Sequence, residues 1–329
     1  MVNRRNFIHS GLMTGLATGI NSQTFASPLD QVRVIVGFPA GGTADIVARQ
    51  LAARFAGTAY SRNGGIVENR TGAGGRLACD AVKSAPSDGS VLLLTPYDMV
   101  AIYPHVFTKL SYDPVRDFVP ISNVVGYSLA MVAGPKVPGR VKSIGDFLSW
   151  AKESPDNANY GSGGAGTTLH FLGALLGIHS GVALNHVPYR GAAPAITDTV
   201  AGQIGVCFVP VGDALPYSQV GRLRILATSG SERTSFTPDV PTFAEQGFKD
   251  LVIDAWTAVF APAKTPQSTV QAANAAIIAA TQDKNVIEAL AKLGFETRGS
   301  SPAELSKRWH AQIELWGPLV RKVGFTIDS

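Results

Sequence analysis

Three short stretches carry the residue types and spacing to hold a small anion. They are Phe38-Pro39-Ala40-Gly41-Gly42-Thr43-Ala44-Asp45, Arg70-Thr71-Gly72-Ala73-Gly74-Gly75, and Tyr160-Gly161-Ser162-Gly163-Gly164-Ala165-Gly166-Thr167-Thr168-Leu169-His170. Each follows a candidate strand and opens a candidate helix. Glycines in such a turn let main-chain N–H groups converge, and the helix start behind them adds partial positive charge. Thr43, Thr167 and Thr168 stand near N-cap positions, where a hydroxyl either satisfies the helix's own amides or meets a ligand oxygen. In an open parallel sheet, ligands bind beyond the carboxyl ends of the strands, and these turns lie there.

Reaction chemistry is harder to find. Gly161–Gly166 fits G-x-G-x-x-G, but a dinucleotide site also needs a firm strand before it and an acid ending the next strand. The preceding strand is weak, and the next one ends in Val187-Pro188-Tyr189-Arg190-Gly191 with no acid. Arg190 leaves a 2′-phosphate open, so a nucleotide-binding enzyme stays as an alternative. There is no P-loop, C-x-x-C or H-E-x-x-H, and Ser162 lacks the spacing of a nucleophile elbow. His105, His179, His186 and His310 are scattered and read as structural or surface residues. His170 lies in the first turn of a helix aimed at the expected cleft, where a hydrogen bond to a bound anion is favoured over general-base work. Asp45 also falls in a first helical turn, where the helix dipole alone explains an acid. The pattern predicts a binding protein, with no enzymatic activity, cofactor or metal.

The elements that position these turns alternate. Strands are expected at 32–38, 65–69 and 91–95, with helices at 44–55 and 75–85 between them, which predicts parallel pairing with helices on both faces. Extended segments follow over 119–134, and Ser143 with Asp146 reads as a capping box for a helix through Lys152. A second alternation covers strands at 158–161, 184–188, 204–209 and 223–228 and helices at 167–177 and 192–200. A long extended run spans 251–262. Helices at 267–281, 284–293 and 302–323 close the chain, with Pro266 and Pro302 suited to first turns. This order predicts an α/β fold of two lobes joined by two crossings, near 125 and near 251. Residues 27–127 plus 251–329 form the first lobe and 128–250 the second.

Residues 1–26 read as an export signal: Arg4-Arg5 lead a short, weakly apolar segment, and small residues precede Ser27. The arginine pair resembles a twin-arginine signal, with an ordinary secretory signal as the alternative. Losing those two arginines lowers the net charge from +4 to +2. Without a basic stripe, a nucleic-acid partner is not expected. No later run is long enough for a membrane span. The mature protein is expected to be a periplasmic monomer that is not inserted in the membrane. Its two cysteines, Cys79 and Cys207, are expected to be free, buried and in different lobes.

With these motifs in hand, the chain resembles the Bug-type solute-binding proteins of tripartite tricarboxylate transporters over nearly its whole mature length. The stretches VGFPAGGTADIVAR, VENRTGAGGRLACDAVKSAPSDGSVLLL, NYGSGGAGTTLHFLGALL and VPYRGAAPAITDTVAGQI carry the resemblance in order, as do GRLRILATSGSERTSFTPDVPTFAEQG and SPAELSKRWHAQIELWGPLV. It implies a periplasmic-binding-protein fold of the Venus-flytrap kind, each lobe a mostly parallel sheet flanked by helices. The lobes would close on a small organic acid and deliver it to a two-subunit membrane permease. A carboxylate would sit on Phe38, Pro39, Ala40, Gly41, Gly42 and Thr43, with Asp45 a further candidate. The distal end would meet Ser162, Gly163, Gly166, Thr167, Thr168 and His170, with Tyr97 and Tyr189 as walls.

Two departures stand out. Val209 replaces an aspartate common in the family, as Gly205 replaces another, which argues against an amino-acid ligand. Pro96-Tyr97 adds bulk which, with Phe38, favours a ligand with an apolar or aromatic body; the expected ligand is a dicarboxylate or an aromatic carboxylate such as terephthalate. An orphan sensor docking on a signalling kinase is the other reading of the same architecture.

Overall fold

The computed structural model describes residues 27–328, so the expected export segment lies outside the described residues. The first sheet grows from short apolar runs. Strand β1 (Arg33–Val36), helix α1 (Thr43–Ala52), β2 (Ile66–Asn69), α2 (Arg76–Lys83) and β3 (Val91–Pro96) form a βαβαβ unit. Helices α3 (Tyr103–Val106) and α4 (Pro114–Asp117) lead into the long β4 (Phe118–Tyr127). The second sheet contains β5 (Leu129–Ala133), α5 (Ile144–Ala151), β6 (Asn159–Ser162), α6 (Thr168–Ser180), β7 (Asn185–Pro188), α7 (Ala192–Val200), β8 (Val206–Pro210), α8 (Val211–Gln219) and β9 (Arg224–Thr228). The chain then returns through β10 (Ala255–Pro262), α9 (Gln267–Gln282), α10 (Lys284–Ala291), β11 (Glu296–Thr297) and α11 (Pro302–Val323).

The strand orders are β2-β1-β3-β10-β4-β11 and β7-β6-β8-β5-β9. β1 pairs in parallel with β2 and β3, and β6 with β7 and β8. In each sheet the fourth strand runs against its neighbours: β10 lies between β3 and β4, and β5 between β8 and β9. Both reversed strands have just crossed from the other sheet. A strand that enters a sheet at the edge where its neighbours end must run antiparallel to them, which explains how crossings expected only as extended segments complete sheets that are otherwise parallel apart from β11, antiparallel to β4 at the end of the first.

The register at the crossings fixes what faces what. Tyr127, the last residue of β4, pairs with Ala255, the first of β10. Two residues on, Leu129 opens β5 opposite Pro210, the last of β8. The carboxyl-end edge of one sheet therefore abuts that of the other. Ser229 ties the two crossings together: its hydroxyl donates to Ile253 O at 2.7 Å and accepts from Leu129 N–H at 3.0 Å. A single buried cluster, with Tyr97, Trp256 and Trp316 from the first lobe and Met131, Phe171 and Phe208 from the second, runs through this junction. The two cysteines are buried and unpaired. Among the described residues, no helix is long and apolar enough to cross a membrane.

Candidate functional site

The first-lobe turn is organised from within. Asp45, 1% exposed, accepts Gly41 N–H at 2.9 Å, Arg49 Nε at 2.8 Å and Nη2 at 2.9 Å, and Asn69 Nδ2 at 2.9 Å. The same Asn69 amide reaches Phe38 O at 2.9 Å. Burial opposes ionisation of Asp45, yet the arginine, the Gly41 amide and Asn69 together hold its pKa below the usual carboxylate value. Asp45 is thus an internal brace whose charge Arg49 neutralises. Gly41 takes φ +80°, the left-handed region that suits glycine. At Gly37, a Cβ would stand 2.7 Å from Gly75 Cα, so the turn after β1 and the turn before α2 meet backbone to backbone.

This bracing leaves donors over. The Gly42 amide bonds Pro39 O, and Gly41 bonds Asp45. Among the described residues, the amides of Ala40, Thr43 and Ala44 and the Thr43 hydroxyl take no protein partner. They sit at the start of α1, where first-turn amides have no intrahelical acceptor. Ala40 and Gly41 are exposed, and Gly42 and Thr43 partly so. The result is a small array of outward N–H groups beside a charge-compensated carboxylate.

The second-lobe loop behaves differently residue by residue. Thr167 is a helix cap: it accepts His170 N–H at 3.4 Å and donates to Gly164 O at 2.8 Å. Thr168 faces the other lobe. Its amide and hydroxyl donate to Asp98 Oδ1 at 2.7 and 2.8 Å, and its hydroxyl lies 2.7 Å from that of Tyr97. Burial raises the pKa of Asp98, partly offset by these two bonds. Ser162 is buried, with Oγ 2.7 Å from His186 Nε2.

His170 accepts Gly166 N–H at 3.2 Å and stacks on His186 with ring centres 4.1 Å apart. Both rings line a lateral cavity of about 520 Å³ between α6, β7 and the turn at Gly324. Burial lowers the His170 pKa to about 4. Gly163 packs against Gly191, and Tyr189 donates to Asp198 at 2.9 Å, so the Gly163 turn and the end of β7 form one surface.

Two candidate site residues are not on a surface. Tyr97 is fully buried and stacked on Trp256 at 5.4 Å. Val209 is 0% exposed in the core beneath α7 and α8. Phe38 and Tyr189 remain partly exposed. Residues missed in the sequence are Arg49, Asn69 and Asp98. Asp45 and Arg49 were legible as an i,i+4 ion pair; Asn69 becomes a partner only once β2 lies beside β1. Among the described residues, no group of three or more His, Cys, Asp or Glu is placed to hold a metal.

Comparison with known proteins meets this geometry. The family model described as tripartite tricarboxylate transporter family receptor, TctC, matches residues 47–325. The BugT protein of Bordetella pertussis is 30% identical over 94% of each chain. Two solved structures from Rhodopseudomonas palustris superpose closely. Rpa4515 with adipate gives a TM-score of 0.83 at 28% identity, covering 91% of this chain and 99% of that one. MatC with bound malate gives 0.80 at 31%, covering 89% and 99%. With two α/β lobes meeting at their strand ends and a family match across most of its length, this chain belongs to the TctC family of tripartite tricarboxylate transporter solute-binding receptors, which are not enzymes.

Proposed function

We propose that this chain is a periplasmic receptor that captures a small carboxylic acid between its lobes and delivers it to a two-subunit tripartite tricarboxylate permease. The lobes exchange at residues 127/128 and 250/251. The unpartnered amides of Ala40, Thr43 and Ala44 carry the reading. They lie on the strand-end edge that adjoins the edge bearing the Gly163 turn, so one ligand spans both. A carboxylate held by main-chain N–H groups and a helix start needs no buried cation, which keeps affinity moderate and release feasible. The acids bound by the two relatives support the ligand class, and the basic, apolar start of the chain supports the location.

Calorimetric titration of residues 27–329 with a panel of mono- and dicarboxylic acids tests the proposal. One-to-one binding in the micromolar range, about −8 kcal/mol, is expected for at least one acid. Cells lacking the receptor should lose uptake of that acid. Failure of the whole panel to bind or to raise the melting temperature overturns the reading.

A further inference from the structure

The start of α8 is wedged between the lobes. Val211 N–H bonds Ser128 O in the crossing at 2.9 Å. A Cβ on Gly212 would stand 1.7 Å from Leu293 O of the first lobe, so only a glycine backbone fits there. Asp213 comes next, in the first turn of α8, and helical side chains lean toward the N-terminus. Its carboxylate therefore leans to the edge where the sheets meet. Tyr127, at the end of β4 in that edge, lies within the electrostatic reach of Asp98 and Asp213.

A first-turn acid ordinarily braces its own helix, and this chain shows it repeatedly. Asp45 accepts Gly41 N–H, Asp146 accepts Lys142 and Ser143 N–H, and Glu304 accepts Ser301 N–H. Asp213 does none of this: α8 has Pro210 at its N-cap and no side-chain cap, and among the described residues the carboxylate takes no hydrogen bond or ion pair. Desolvation without a partner pushes its pKa up to about 6. Helix capping thus leaves Asp213 unexplained, and the residue stands partly exposed at the lobe junction, within electrostatic reach of Tyr127.

We infer that Asp213 is a specificity determinant that selects organic acids whose far end carries a hydrogen-bond donor, an ammonium or a hydroxyl, over those ending in a second carboxylate. The inference rests on the receptor reading above and deepens it. With the ligand's carboxylate on the α1 turn, its other end reaches the opposite edge of the gap. A second carboxylate there meets the Asp213 charge unscreened, whereas a donor satisfies an acceptor that has no other partner.

Matched sets of probes test this: hexanoate, 6-hydroxyhexanoate, 6-aminohexanoate and adipate, with the corresponding four-carbon set, titrated at about pH 8. The wild type should bind the better donor-ended acid of a set at least about tenfold more tightly than the dicarboxylate. Asp213→Asn, with Asp213→Ser as a second variant and melting temperature as the folding control, should shrink that ratio about tenfold. A wild type that prefers the dicarboxylate, or a ratio unchanged in both variants, overturns the inference while leaving the receptor intact. If no probe and no acid of the wider panel binds, both fall together.

Discussion

Asp45 holds the binding turn by its four donors, and removing it frees the turn from its brace. Asp45→Ala leaves Gly41 N–H without an acceptor and Asn69 with Phe38 O alone, and returns the exposed Arg49 guanidinium to water. We expect a loss of about 1–3 kcal/mol in urea unfolding, most of it from the stranded Gly41 amide, and at least a tenfold loss of ligand affinity. Asp213 predicts the opposite sign. Its folded pKa of about 6 lies above the ordinary 3.8, so its burial destabilises the fold fully above about pH 6. That penalty fades as pH falls toward 3.8. Asp213→Asn should therefore be more stable than wild type by about 1–3 kcal/mol at pH 8, with the difference gone near pH 4; equal unfolding midpoints at pH 8 would contradict this. At this scale the sequence was half legible. Glycines and threonines announced the turns by type alone. The roles of Asn69 and Asp98 depend on neighbours brought together by sheet order and lobe contact, which no local pattern encodes.

The elements were more legible where local chemistry decides them. Ser143 and Asp146 form the expected capping box of α5, and Pro302 opens α11 at its first turn. Ser143→Ala should cost about 1 kcal/mol in thermal unfolding. Helix α8 was not expected from the sequence, and it contains Pro216, a residue that ordinarily breaks a helix. Pro216 falls one turn from the start, where the amide it lacks would have bonded only to Gly212. The start of α6 makes a separate prediction. Asp98 from the first lobe caps it through the amide and hydroxyl of Thr168. Asp98→Asn retains an acceptor and removes the buried charge, so it should change stability by less than about 1 kcal/mol; Asp98→Ala should cost about 2–3 kcal/mol. Equal losses in the two variants would show that charge, not hydrogen bonding, joins the lobes there.

The whole molecule repeats one plan twice: parallel strands with their carboxyl ends at a common edge, and a crossing strand inserted against them. The alternation of strands and helices foretold the plan. The strand order did not follow from it, because pairing is fixed by where the crossings land. The buried cluster running through both lobes makes the junction a shared core, so calorimetry should record one cooperative transition rather than two. That core also brings the two glycine-turn edges together, on which the receptor reading depends. The most direct measurement is the amide spectrum of ¹⁵N-labelled protein titrated with an acid that binds. The Ala40, Thr43 and Ala44 amides should shift downfield in proportion to occupancy, together with that of Gly163. An acid that binds while those amides stay still, moving instead the residues around His170 and His186 in the lateral cavity, would contradict the receptor reading.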